Sequence, residues 1–212
     1  MARKTKAEAE LTRLQIIDAA RREFHARGVG RTTLEQIATA AGVTRGAVYW
    51  HFKNKEDLFF AMRNQVFLPV VDGFNHELLT AHANDPLLGI ELSLLEIIDT
   101  LATQPAVRET HQILAFRCEY VDEFQPVLES FHIADRNDFT EIIADAYARA
   151  RALKQLRDDL EPWVAAMDTR MFTTGLVYSW LASEGDPVFH ENARKMIRDH
   201  MDMRRRSPPR RT

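Results

Sequence analysis

The chain has 212 residues, 45% of them hydrophobic, and a formal net charge of −3. No apolar run reaches about 18 residues, so no membrane-spanning helix is expected, and the charged start "MARKTKAEAE" lacks the apolar stretch of a signal peptide. The lone Cys118 excludes an intrachain disulfide and a cysteine-rich zinc site, no H-E-x-x-H takes its place, and a cytoplasmic location fits.

The charge is unevenly spread. Residues 1–55 carry 11 Lys/Arg against 5 Asp/Glu, residues 56–203 carry 12 against 26, and residues 204–212 add five arginines. A basic N-terminal quarter on an acidic body points to a polyanionic partner held at one end.

The periodicity is helical almost throughout, and the fold class is all-α with about nine helices. Leu11, Leu14, Ile17, Ala20 and Phe24 recur at spacings of three and four until Gly28 stops the first helix. Thr33, with Gln36 three residues on, forms a capping box for a second helix over 34–41, and Gly42 suits the left-handed position beyond it. Thr44 caps a third helix over 45–51, and Asn54 caps a long fourth with Glu56 and Asp57 in its first turn. Prolines then mark the starts, predicting helices over 86–103, 106–122, 127–155, 161–183 and 187–204. The organisation expected is a small N-terminal domain over 1–54, a larger helical domain over 55–204, and a disordered basic tail over 205–212.

The second and third helices are joined by Gly42, Val43 and Thr44 alone, a helix-turn-helix spacing. Val48 and Phe52 share one face of the third helix and are expected in the core, with Trp50 wedged partly against a neighbouring helix. The opposite face offers Arg45, Gly46, Tyr49 and Lys53 to a major groove. Arg45 can fork onto guanine, Gly46 permits close approach, and Tyr49 can reach a phosphate or a thymine methyl. His51 and Lys55 are candidate phosphate contacts, as are Thr33 and Thr44, although capping alone accounts for the two threonines.

The stretch "TRLQIIDAARREFHARGVGRTTLEQIATAAGVTRGAVYWHFKNKEDLF" resembles the N-terminal domain of the TetR family of transcriptional repressors. "MARKTKAEAE" and "RCEYVDEFQPV" resemble the branch that represses multidrug efflux pumps. The resemblance implies an all-helical homodimer that binds double-stranded palindromic operator DNA and, in its larger domain, a small effector.

Residues of the C-terminal part fit that division. Apolar walls with a few polar groups at helix centres suit a pocket for a hydrophobic or amphiphilic compound, its expected lining being Phe67, Val71, Leu92, Leu95, His111, Leu114, Met171, Thr174 and Tyr178. Arg117 and Asp168 are either pocket residues or a buried ion pair. Trp180, Ile197 and Met201, with Gly175 and Ala182 allowing close helix approach, are the expected dimerisation stripe. No cofactor, metal or membrane partner is expected, and no catalytic triad or phosphate-cradling loop suggests an enzyme. An effector-free architectural DNA-binding protein remains an alternative, as does a regulator of fatty-acid or other metabolic genes that answers to an acyl-CoA.

Overall fold

The computed structural model describes the backbone of residues 5–76, 82–118, 125–183 and 186–206, and the side chains of all of these except 67–76 and 125–138. Among the described residues there are nine α-helices: α1 (Lys6–Arg27), α2 (Leu34–Ala40), α3 (Arg45–His51), α4 (Lys55–His76), α5 (Pro86–Thr103), α6 (Pro105–Gln112), α7 (Gln125–Ala152), α8 (Pro162–Ala182) and α9 (Pro187–Asp202). The only β pairing among them is one antiparallel bridge between Leu156 and Arg205.

Local chemistry sets most helix starts. Thr5 and Glu8 cap α1 reciprocally, and Asp85 accepts from the Leu88 amide with Pro86 in the first turn of α5. Glu161 and Asp186 do the same for α8 and α9, each followed by proline. These acceptors satisfy amide donors that a helix start otherwise leaves unpaired. The sixth helix is shorter than the 106–122 expected. After Gln112 the chain widens into a π-helical turn over Ile113–Arg117 and leaves helical geometry at Cys118.

The chain packs as two units. The first comprises Met1–Leu68 and Gln104–Glu129, and the second Pro69–Thr103 and Ser130–Thr212. The sequence division at residue 54 does not coincide with this packing, because α6 and its π-turn are bonded to α1. Arg21 pairs with Glu109, His25 Nε2 lies 2.9 Å from Gln112 Oε1, and the Val29 amide donates to the Arg117 carbonyl at 2.9 Å. The core of this unit holds Ile16, Ile17, Phe24, Ile37, Val48, Phe52, Leu58, Phe59 and Ile113, with the Phe24 and Phe59 rings edge to face.

In the second unit α5 buries Leu87, Ile90, Leu94, Ile98 and Leu101, one helical face at spacings of three and four. A polar chain crosses the core. The Tyr147 hydroxyl meets Thr169 Oγ1 at 2.7 Å, which meets His200 Nε2 at 3.1 Å. Phe172 stacks on the His200 ring with centroids 3.9 Å apart. Asp168 pairs with the buried Arg204, and Arg117 belongs to the first unit. Arg205 and Arg206 are ordered rather than part of a free tail. Arg205 reaches Glu91 at 2.9 Å, and the Arg206 amide donates to the Gln155 carbonyl at 2.7 Å while its side chain meets Asp158. Residues 207–212 lie outside the described residues.

Candidate nucleic-acid interface

The turn between α2 and α3 is built by backbone bonds. Gly42 adopts φ +67°, its amide bonds the Thr39 carbonyl at 3.1 Å, and the Val43 amide bonds the Ala38 carbonyl at 3.0 Å. This pair of bonds closes a helix C-terminus around a left-handed glycine. Thr44 then caps α3 by accepting from the Ala47 amide at 3.2 Å. Thr33 and Gln36 cap α2 reciprocally, at 2.9 and 3.2 Å. Both threonine hydroxyls are thus engaged as caps, on an exposed edge.

Val48 and Phe52 anchor α3 in the core, the second beneath the Arg13 guanidinium 5.5 Å from its ring. Arg45, Gly46 and Tyr49 are all exposed. The Arg45 guanidinium sits 5.4 Å from the Tyr49 ring centroid, with Nη2 3.4 Å from the hydroxyl. That hydroxyl raises the Arg45 pKa further, so the charge is permanent. A Cβ built on Gly46 meets only Thr44 Oγ1, at 3.9 Å, so nothing in the chain itself requires glycine there.

Lys53 is exposed, and its amide is bonded to Asp57 Oδ2 at 3.0 Å. Asn54 Oδ1 accepts from the Asp57 amide at 2.8 Å and so starts α4. Lys55 has a different place from the phosphate contact expected of it. Its ammonium donates to the carbonyls of Val29, Gly30 and Thr32 at 2.9, 3.4 and 3.3 Å, because these point inward from the α1–α2 loop. Trp50 also departs from expectation. It is 72% exposed and stands edge-on to the half-buried His51, centroids 4.5 Å apart. It lies two residues from the buried Val48, more than half a helical turn around, so helical periodicity alone places it outside.

The residues expected to line an effector pocket belong to both units. Leu92 is exposed and Leu95 half-buried on α5, away from that helix's buried face. Met171 (62% exposed), Thr174 and Tyr178 (53% exposed) lie on the outer side of α8, because Ala165, Ala166, Thr169, Thr173, Leu176 and Trp180 turn its other side into the core. His111 and Leu114 belong to the first unit. Desolvation pushes the His111 pKa down, and its Nδ1 lies 2.9 Å from the Val107 carbonyl, so the ring is a neutral tautomer donating from Nδ1. The side chains of Phe67 and Val71 lie outside the described residues.

The residues expected to form a dimerisation stripe divide by burial. Trp180, Ile197 and Met201 are buried in the chain's own core. Gly175 and Ala182 are exposed, and they align with Val164, Met171 and Tyr178 along α8 at intervals of three, four and seven residues. Val188 and Met196 on α9, and Met203 just past its end, are also exposed. A Cβ on Gly175 meets nothing within 4 Å.

No helix among the described residues is long and apolar enough to cross a membrane. Residues 16–62 match the family described as bacterial regulatory proteins, tetR family, and residues 85–205 match the C-terminal region of MAATS-type transcriptional repressors. The chain is 35% identical over 211 residues to the HTH-type transcriptional regulator TtgR of Pseudomonas putida, covering 98% of each chain. It is similar to the crystal structure of NalD, the secondary repressor of the MexAB-OprM multidrug efflux pump in Pseudomonas aeruginosa, with a TM-score of 0.83, 35% identity, and 96% and 100% of the two chains covered. It is also similar to the triclosan complex of SmeT, the repressor of the Stenotrophomonas maltophilia pump SmeDEF. There the TM-score is 0.77 and the identity 30%, over 91% of this chain and 89% of that one.

Proposed function

Since the chain belongs to the tetR family of bacterial regulatory proteins, we propose that it represses a multidrug efflux operon and is released by a hydrophobic or amphiphilic compound. A homodimer grips a palindromic operator, each protomer laying α3 in a major groove. The observation that carries this reading is the division of α3. Val48 and Phe52 hold it to the core, while Arg45, Gly46, Tyr49 and Trp50 stand clear on its other side. Arg45 is the candidate base reader, lying over the Tyr49 ring. Tyr49, Trp50, His51 and Lys53 contact the sugar–phosphate backbone, and Thr33 and Thr44 flank it.

Two-fold symmetry supplies the second half-site. The exposed row of Val164, Met171, Gly175, Tyr178 and Ala182 on α8, with Val188, Met196 and Met203 of α9, is the surface we assign to the second copy. An exposed apolar stripe along one helix suits such an interface, and the open space over Gly175 admits a close helix.

The relatives that are pump repressors support the efflux assignment, and the triclosan complex of SmeT supports an aromatic effector. The test is a titration. The protein selects its duplex from a random-sequence library, and fluorescence anisotropy follows the complex as triclosan, other aromatic pump substrates or a long-chain acyl-CoA is added. Release by aromatic compounds is the expected result. Release by the acyl-CoA alone assigns the protein to metabolic genes, and release by none removes the effector from the reading.

A further inference from the structure

We propose that residues 203–206, just past α9, are a salt-sensitive clasp that ties the start of α5 to the turn between α7 and α8, so that these three segments open together. All three belong to the second unit. The clasp is built first from backbone. Leu156 and Arg205 form an antiparallel bridge. Beside it the Arg157 amide donates to the Arg204 carbonyl at 3.0 Å, and the Arg206 amide donates to the Gln155 carbonyl at 2.7 Å. Arg157 Nη1 adds a bond to the Met203 carbonyl at 3.0 Å.

The turn that receives these bonds is strained. α7 ends at Lys154, which has φ +59°. The Lys154 amide donates to the Arg151 carbonyl at 3.0 Å, and the Gln155 amide to the Ala150 carbonyl at 2.9 Å. Such a pair of bonds closes a helix around a left-handed residue, a place that glycine usually takes. A lysine is uncommon there and stays only where its surroundings hold it. Gln155 does so from both sides. Its carbonyl accepts from Arg206, and its Nε2 donates to the Asn84 carbonyl at 2.9 Å, one residue before Asp85 caps α5.

Three successive arginines then fasten the clasp to carboxylates of three other segments. Arg204 pairs with Asp168, Arg205 with Glu91 at 2.9 Å and Asp85 at 3.8 Å, and Arg206 with Asp158 at 3.1 Å. Burial ranks these pairs. The side chains of Arg206 and Asp158 are 45% and 71% exposed, so their pair contributes little. Glu91 is 15% exposed and Arg205 33%, which makes this charge-assisted bond the main link to α5. The buried Arg204 also donates to the His200 carbonyl and so fixes the near end of the clasp to α9. Arg205 therefore holds Leu156 through its backbone and Glu91 through its side chain, and loss of either contact loosens the other. Salt screens the ion pairs and leaves the backbone bonds, so ionic strength sets how often the clasp opens.

The test is native-state amide exchange of the full-length protein, followed by NMR and corrected for the intrinsic rate of each amide. The amides of Leu88, Arg157 and Arg206 report on the three segments, since each is bonded within its own. Glu91→Gln keeps the shape of the side chain, removes its charge and alters none of the reporters. It is expected to quicken exchange at all three by a common factor of about ten. Quickening confined to Leu88, three residues from the substitution, overturns the clasp, and so do unchanged rates at all three. Sodium chloride added to the wild type needs no substitution. The same three amides are expected to quicken together as salt rises, while the Gly28 amide of the first unit keeps its rate. Unequal factors, or an equal quickening at Gly28, overturn the proposal.

Discussion

The guanidinium of Arg45 lies over the ring of Tyr49, one helical turn away, at 5.4 Å from its centroid. The ring quadrupole attracts the cation and so favours this pose among the side chain's rotamers. Arg45→Ala is expected to relax base preference at one position of each half-site, at a cost of about 1–3 kcal/mol. Tyr49→Phe keeps the ring beneath the cation and removes the hydroxyl, so it is expected to cost less than Arg45→Ala. Competition anisotropy against single-base variants of the duplex measures both.

Lys53 and Lys55 differ in what their ammonium groups meet, and salt separates them. Lys53→Ala is expected to lower the magnitude of the slope of log affinity against log salt by about 0.9 per lost phosphate contact. Lys55→Ala is expected to leave that slope unchanged. It instead leaves three loop carbonyls without their donor and lowers the melting temperature. Equal slope changes for the two variants would return Lys55 to the phosphates.

Ile197 and Met171 separate folding from assembly. Ile197 is buried in the chain's own core, so Ile197→Glu is expected to prevent folding. Met171→Glu places its charge on the exposed row of α8 and is expected to give a folded monomer with far weaker operator binding. Sedimentation velocity with circular dichroism distinguishes the two outcomes. A dimeric Met171→Glu variant would locate the interface elsewhere.

His200 sets a pH dependence. Burial, then the charge of Arg204, lowers its pKa to about 4, with Asp168 opposing. The unfolded imidazole titrates near its ordinary value of about 6.5. The unfolded chain therefore binds more protons between these values, and stability falls as pH drops from about 6.5 toward 4. Melting temperatures across that window are expected to fall less steeply in His200→Asn than in the wild type.

Much of the architecture is legible in the sequence because helix ends depend on near neighbours. Thr33 with Gln36, Thr44, Asn54 with Asp57, and the Asp-Pro pairs at 85 and 186 all act within three residues. The turn at Gly42 is equally local. Faces are harder to read where both sides of a helix are mixed. On α8 the buried side includes Thr169 and Thr173, and the outer side includes Met171 and Tyr178, so hydropathy favours the wrong orientation. Tertiary bonds set it instead, from Tyr147 and His200 to Thr169. Lys55 shows the same limit. A lysine at a helix start reads as a phosphate ligand until the carbonyls of a loop some 25 residues earlier come within reach.

Gly46 sets the fold and the function at odds. An exposed glycine inside a helix is less stable than alanine by roughly 0.5–1 kcal/mol, and no neighbouring group within the chain requires its missing Cβ. Gly46→Ala is therefore expected to raise the melting temperature while holding the backbone of α3 off the DNA and weakening the complex. A screen for thermal resistance alone would retain that variant and discard a working regulator.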